Sequence, residues 1–206
     1  MHELACEHGT QLSFVWQPRT APALQLADAL SKRQDTGDWR LSRVFARQQI
    51  FAATGRPDID CFASERARQD CRWYFSAVWD GRCAAVDALA QDWRAWPEKV
   101  AGAVPGRVPL CFVFPPQEHL LSAVSKVLEQ RAEAVLVLPR AVGPGVAAVL
   151  RQLQDNVVWQ AELSGPHACM VQLTAAVPAR TSAGGWKVPL RALQVSWRGA
   201  AVIPAQ

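Results

Sequence analysis

Several features that mark common protein classes are absent from this sequence. No apolar run reaches the ~20 residues that a membrane-spanning helix needs, so we expect no membrane partner. The six cysteines include no C-x-x-C pair and the four histidines show no ligand spacing beside them, which argues against a structural zinc site. Internal repeats and low-complexity tracts are also absent, and the 206 residues predict one large domain or one domain with a short appendage.

Positive charge is present but is not concentrated. The chain has 22 basic and 18 acidic residues, a net charge of +4, without the run of Lys and Arg that marks a phosphate-binding tail. Charge alone therefore leaves nucleic-acid binding open. Because no apolar signal segment precedes the cysteines, we expect reduced thiols and a nuclear or cytoplasmic location.

The pattern of residues 1–54 predicts a short appendage of strand and helix. Residues 11–17 are rich in β-branched and aromatic residues and predict a strand that stops at Pro18. An amphipathic helix is predicted over 23–33 and a second helix over 41–53. The breaker residues Gly55-Arg56-Pro57 then predict a domain boundary, with one segment at 1–54 and a second at 55–206.

Residues 55–206 have the apolar pattern of a mostly parallel sheet. The continuous apolar run 108–114, a helix over 118–131 and the apolar run 134–138 predict a βαβ unit with both strands buried. The remaining predicted elements are a strand at 59–62, a helix at 146–153, strands at 157–163 and 170–173, and a last edge strand at 193–197. The expected fold class is α/β with a Rossmann-like sheet.

Short motifs in a fixed order run through residues 55–153. They are Gly55, Pro57, the block 58–64 (Asp-Ile-Asp-Cys-Phe-Ala-Ser), Cys71, Tyr74, Asp80, Asp87-Ala88, Asp92-Trp93, Phe114-Pro115-Pro116, Leu120, Val124, Lys126-Val127-Leu128 and Val137-Leu138-Pro139. In these motifs the chain resembles the domain that follows ribonuclease H in DIRS-type, tyrosine-recombinase retrotransposon polyproteins. That domain is similar to phage-type DNA adenine methyltransferases, so the resemblance implies a methyltransferase-like domain over 55–206.

The first segment carries a separate resemblance to the end of a retroelement ribonuclease H. Its motifs are Trp16-Gln17-Pro18-Arg19, Ala27-Asp28-Ala29-Leu30-Ser31 and Asp38-Trp39. The resemblance implies that Asp28 matches the last metal-binding carboxylate of that family. A two-metal site needs several converging carboxylates, and Met1 begins too late to include the strands that carry the others. Asp28 is then an orphaned metal ligand, or a residue of a helix surface or a local salt bridge.

The methyltransferase resemblance also implies a cofactor site. In such enzymes S-adenosylmethionine lies across the carboxyl ends of the parallel strands, where acidic side chains bind its hydroxyl or ammonium groups. The implied ligands are Asp58, Asp60 and Asp87. The alternative is that Asp58 caps a turn and that Asp60 bonds nearby backbone amides. Apart from S-adenosylmethionine, no cofactor is expected.

The Phe114-Pro115-Pro116 loop departs from the pattern of the active enzymes. Adenine N6-methyltransferases carry Asn, Asp or Ser before Pro-Pro and an aromatic after it, to hold and stack on the flipped base. Phe114 and Gln117 stand at those two places, so the side chain that would bind the target amine is missing. The alternative is that Phe114 is a core residue and that Pro115-Pro116 is a rigid strand exit.

An aromatic and arginine-rich stretch predicts a nucleic-acid contact. Arg66, Arg72, Trp73 and Tyr74 are the expected contact residues, with Phe75, Trp79, Arg68 and Arg82 interleaved among them. His119 lies near the proposed cleft, but the sequence shows no partner that would make it a catalytic base.

Three hypotheses follow from these patterns. The first is a non-catalytic module of retroelement origin that associates with nucleic acid or assembles with other proteins, on a vestigial methyltransferase fold. The second is an active S-adenosylmethionine-dependent DNA adenine N6-methyltransferase, and the third is a structural subunit of a larger complex.

Overall fold

The computed structural model describes residues 39–96, 106–163, 170–172 and 189–197. All of these belong to the unit Gly37–Gln206. The predicted strand at 11–17, the predicted helix at 23–33 and Asp28 lie outside the described residues.

A seven-stranded mixed sheet forms the centre of this unit. Its strands lie in the order β4-β3-β2-β5-β6-β9-β7, while β1 and β8 form a separate antiparallel pair. The strands are β1 (Trp39–Leu41), β2 (Ile59–Asp60), β3 (Trp73–Ser76), β4 (Ala85–Val86), β5 (Cys111–Val113), β6 (Ala134–Pro139), β7 (Val157–Leu163), β8 (Met170–Gln172) and β9 (Leu190–Val195).

In this order the first five strands, β4-β3-β2-β5-β6, are parallel to one another. Strand β9 runs antiparallel to both β6 and β7. The expectation of a mostly parallel α/β sheet is therefore confirmed. The prediction that the last strand is an edge strand is wrong, because β9 pairs along its whole length with β6 and lies between β6 and β7. Strands β3 and β4 were not predicted, because both are short and β3 is an aromatic cluster in the sequence.

Three helices longer than two turns pack on the described part of the sheet. Helix α1 is continuous through Arg43–Phe45, Ala46–Phe51 and Ala52–Thr54, and its middle segment is a π-helix. Helix α2 (Leu120–Gln130) follows a 3-10 turn at Gln117–His119, and α3 is Pro144–Leu153. The helices predicted at 41–53, 118–131 and 146–153 are confirmed. Ser42 begins α1 by accepting a hydrogen bond from the Phe45 amide, and Gly55, with φ of 83°, ends it.

Alternate side chains of the central strands point to opposite faces, and both faces are buried. In β5, Cys111 and Val113 pack towards α2 and α3, whereas Phe112 packs towards α1 and β1. Phe112 meets Phe51 of α1 edge to face at 5.5 Å. Burying each such side chain stabilises the fold by about 1.5–3 kcal/mol, which explains why these strands are continuous apolar runs.

Helix α1 also holds the loop that follows β2. Residues 61–72, all of which the structure describes, contain no helix. Arg43 donates from Nε to the carbonyl of Arg68 at 2.9 Å, and Gln69 donates from Nε2 to the carbonyl of Leu41 at 2.9 Å. Residues 39–54 are thus bonded directly to the loops of the sheet, while the domain boundary at 54/55 stays a prediction.

Candidate functional site

The order of the parallel strands reverses between β2 and β5. The chain continues from β2 to β3 and β4 on one side, whereas β5 and β6 lie on the other side. In open α/β sheets, ligands bind outside the carboxyl ends of the strands at such a switch point. The loops that follow Asp60 and Val113 therefore border the candidate site.

Aromatic rings from these two loops meet across the switch point. The ring of Phe62, after β2, stacks on the ring of His119, after β5, with centroids 6.3 Å apart and an interplanar angle of 29°. The indole of Trp93 contacts Phe62 edge to face, with centroids 6.2 Å apart. The crevice between the two loops is thus bridged by side chains of the protein itself.

Trp93 is fixed in this position by several bonds. It is fully buried, its indole Nε1 donates to the carbonyl of Ala88 at 2.7 Å, and its amide donates to Oε1 of Gln130 at 3.0 Å. The ammonium of Lys126 lies 5.6 Å from the centroid of the indole and donates to the carbonyl of Leu89. The packing of Phe62 on Trp93 is therefore supported from α2 and from the segment after β4.

The backbone at the switch point lacks the features that bind nucleotide-like cofactors. Residues 58–80 and 114–130 contain no glycine, so every residue carries a Cβ where a ligand would need close approach to the backbone. Residues 61–72 form turns, so no helix N-terminus follows β2 to bind an anionic group. The residues present do not fit a bound S-adenosylmethionine at this position.

Asp60 lies at the carboxyl end of β2, but its side chain is only 2% exposed. Its Oδ2 accepts a hydrogen bond from the Gln69 amide at 2.8 Å. Burial raises the pKa of Asp60 from 3.8 to about 7, against the lowering effects of hydrogen bonds from the Gln69 and Phe62 amides and of the Arg43 charge. This carboxyl group bonds the loop after β2, as the alternative interpretation of the sequence stated.

Asp58 lies at the amino end of β2, away from the switch point. Its two carboxylate oxygens accept from Nη2 of Arg107 at 3.1 and 2.9 Å, and Oδ2 also accepts from the Leu110 amide at 2.9 Å. Asp58 therefore joins β2 to the segment before β5.

Asp87 follows β4, which lies at one edge of the seven-stranded sheet. Its backbone is left-handed, with φ of 54°, and its Oδ1 accepts from the Leu89 amide at 3.1 Å to begin the 3-10 turn Ala88–Ala90. Asp60 and Asp87 thus lie at the carboxyl ends of two parallel strands, β2 and β4, with β3 between them, whereas Asp58 lies at the opposite end of β2 and is not brought together with them.

The Phe114-Pro115-Pro116 loop does lie at the switch point, directly after β5. The ring of Phe114 is half-buried and packs on the α1 face of the sheet, with Phe112. Pro115 is buried and Pro116 is exposed. Phe114 takes part in the core here, and its side chain offers no hydrogen-bonding group to a base.

The four residues expected to contact nucleic acid do not share a surface. Trp73 and Tyr74 are neighbours in β3 and point to opposite faces of the sheet. Tyr74 is 1% exposed, and burial together with its hydrogen bond to Asp80 raises its pKa to about 12. The Arg72 guanidinium covers the Trp73 ring at 4.5 Å, while Arg66 is exposed and its carbonyl bonds Arg40.

Trp79 is the aromatic residue of this stretch whose side chain reaches solvent most fully. It is 67% exposed and lies beside Val78, which is 71% exposed, in the loop after β3. The sequence showed an aromatic cluster but gave no sign of which ring is exposed, because that depends on the strand and loop assignment.

Three further features of the described residues bear on function. They contain no group of three or more His, Cys, Asp or Glu side chains that could hold a metal ion, and no helix among them is long and apolar enough to cross a membrane. A depression of about 600 Å³ lies between α3 and the β7–β9 edge, lined by Arg151, Trp159 and Arg191 among others, away from the switch point.

No protein-family model matches the sequence, and no curated protein matches it. The resemblance to retrotransposon and methyltransferase sequences therefore stays a prediction from the motifs.

Proposed function

We propose that this protein is a non-catalytic module of retroelement origin that associates with nucleic acid or assembles with other proteins, on a vestigial methyltransferase fold. The strand order supports this ancestry. Numbered along the chain from β2, the six strands that run the same way lie in the doubly wound order 3-2-1-4-5-6. The reversed strand β9 is inserted between the last two.

The main support for a non-catalytic role is the crevice that side chains bridge. A methyl donor needs open space between the loops after β2 and β5, and here Phe62 stacks on His119 between those loops. The acidic residue best placed for a cofactor, Asp60, is buried and bonded to the Gln69 amide. A ligand would have to displace both the ring contact and this hydrogen bond.

The target-base loop supports the same conclusion. Flipping a base costs unstacking and unpairing energy, which the pocket offsets by forming hydrogen bonds with the Watson–Crick edge of the base. Phe114 cannot bond an exocyclic amine, and its ring packs with the core of the α1 face. An active adenine methyltransferase, the alternative function, would need another residue to supply that bond.

A purely structural subunit is favoured less by the described surface. Such a subunit is expected to expose a large contiguous apolar patch. The large apolar side chains that are exposed in the described residues come from separate elements, namely Val44 of α1, Val78 and Trp79 after β3, Val86 of β4, Leu121 of α2 and Val158 of β7.

Isothermal titration calorimetry with S-adenosylmethionine and S-adenosylhomocysteine tests this proposal. We expect no binding to the folded chain, whose near-ultraviolet circular dichroism serves as the control for native packing. Micromolar binding, about −8 kcal/mol, would overturn the proposal, since it requires an open cofactor crevice. Methyl transfer to an adenine-containing duplex would overturn it as well.

A further inference from the structure

We propose that the loop after β3 is a binding site for single-stranded nucleic acid, in which Trp79 stacks on a base and Arg66 and Arg82 contact phosphates. This inference rests on the proposed binding role and names its ligand. It replaces the contact set expected from the sequence, because Tyr74 is buried and Trp73 is covered by Arg72.

Trp79 is held on a well-fixed loop although its own side chain is 67% exposed. The next residue, Asp80, accepts hydrogen bonds from the amides of Arg82 and Cys83 at 3.0 and 2.7 Å, and from the Tyr74 hydroxyl at 2.8 and 2.9 Å. Gly81, with φ of 79°, permits the tight turn between them. Because the backbone that carries Trp79 is already ordered, stacking of a base on the indole costs little further ordering of the loop.

The hydrogen bonds of the Asp80 carboxylate also hold arginine-bearing segments beside this loop. Oδ2 of Asp80 accepts from the Glu65 amide at 3.2 Å, which places the exposed Arg66 beside the turn that carries Trp79. The side chain of Arg82 is 71% exposed and pairs with Glu65, which is 43% exposed. A pair this exposed contributes little stability, so a phosphate can replace the Glu65 carboxylate at small cost.

The chemistry favours a single strand over other partners. Stacking requires the face of an unpaired base, which a duplex does not offer. A protein partner would need a broader apolar surface, whereas the hydrogen bonds of Asp80 hold the backbone of two charged residues, Glu65 and Arg82, close to Val78 and Trp79. The contacts involve only bases and phosphates, so they do not select between DNA and RNA.

Fluorescence anisotropy with labelled oligothymidylate, oligouridylate and a duplex of equal length tests the site. We expect both single strands to bind more tightly than the duplex. Trp79→Ala should lower single-strand affinity about tenfold, and Trp79→Phe should lower it less because the ring is kept. Val158→Ala, an exposed apolar control on β7, should leave affinity unchanged.

Arginine variants test the phosphate contacts. Arg82→Ala should reduce the slope of log affinity against log salt by about 0.7, the share of one phosphate on a single strand. Arg140→Ala is the matched control, because Arg140 is 68% exposed and also pairs with a glutamate, Glu162. Glu65→Gln should strengthen binding, since it removes a negative charge that competes with phosphate for Arg82.

The outcomes separate this site from the proposed function. Absence of oligonucleotide binding at low salt, or equal affinity of Trp79→Ala and the wild type, would overturn the site. Equal effects of Arg82→Ala and Arg140→Ala would also overturn it, since they would indicate general charge attraction. If the chain bound S-adenosylmethionine and Trp79→Ala still weakened oligonucleotide binding, the non-catalytic role would be overturned but the nucleic-acid site would stand.

Discussion

Replacing Asp60 by Asn should change how the stability of this protein depends on pH. The Asp60 carboxyl is 2% exposed, next to Cys61 and with Cys71 and the Arg43 charge nearby, and it accepts from the Gln69 amide. Asn keeps an oxygen that can accept that bond and has nearly the same shape, but it never ionises. The variant therefore removes the buried charge and keeps an acceptor for the Gln69 amide.

The size and sign of the effect follow from the pKa of Asp60. It is raised from 3.8 to about 7 in the folded state, chiefly by burial, so folding makes ionisation harder by about 4 kcal/mol. Because the folded state holds this proton more tightly, the stabilisation is fully present below about pH 4 and is lost as pH rises to about 7. Asp60→Asn should match the wild type near pH 4 and exceed its stability by up to about 4 kcal/mol above pH 7.

Urea unfolding at a series of pH values measures this difference directly. Asp60→Ala is a useful comparison, because it leaves the buried Gln69 amide without its acceptor and should cost about 1–3 kcal/mol at low pH. Asp70→Asn should give the opposite trend, since pairing with Arg47 lowers the pKa of Asp70 and its stabilising contribution is lost as pH falls. A difference between Asp60→Asn and the wild type that stays constant over this pH range would refute the reasoning.

Two further predictions concern buried groups. Cys61, Cys71, Cys83 and Cys111 are buried, and burial raises the pKa of the Cys61 and Cys71 thiols, so these four should react slowly with an aromatic disulfide reagent in the native state. Unfolding in denaturant should make all six cysteines of the chain reactive, and rapid native reaction of more than two would contradict the burial. Tyr74 is the single tyrosine, so ultraviolet difference titration reports it alone, with an expected midpoint of about 12. Asp80→Asn should lower that midpoint, because it removes the negative charge beside the phenol, and an unchanged midpoint would show that this bond does not form.

The strands and helices with strong local patterns were predictable from the sequence. The apolar runs that became β5 and β6 are buried on both faces, and such runs have few other ways to remove their side chains from water. The apolar positions of α2, Leu120, Ala123, Val124 and Val127, recur at helical spacing and form its buried face. In these segments the preference of each residue agrees with its final environment.

Other elements depended on partners that are distant in the sequence. The antiparallel strand β9 gains its central position only by pairing with β6 and β7. Strand β1 pairs with β8, although more than a hundred residues separate them. Strand β4 has only two residues, and they are recognised as a strand because they pair with β3. Local propensity carries no information about such pairings.

The candidate site illustrates the same limit. The family resemblance implied that Asp60 lies at the carboxyl end of a strand, and the apolar run 108–114 placed the Phe114-Pro115-Pro116 loop at the end of another. Both do lie at the switch point. The sequence did not indicate that Phe62 would stack on His119, nor that Tyr74 would be buried while Trp79 stayed exposed. Those facts depend on which loops meet, and this is decided by the order of the strands.

The sequence by itself determined the alternation of buried strands and amphipathic helices, because apolar spacing along the chain is a local property. It also determined that Phe114 offers no hydrogen bond, since that follows from its side chain alone. The tertiary structure decided the strand order, the bridged crevice and the buried state of Asp60. Burial and hydrogen-bond partners depend on segments far apart in the chain, so they are fixed only when the whole sheet has formed.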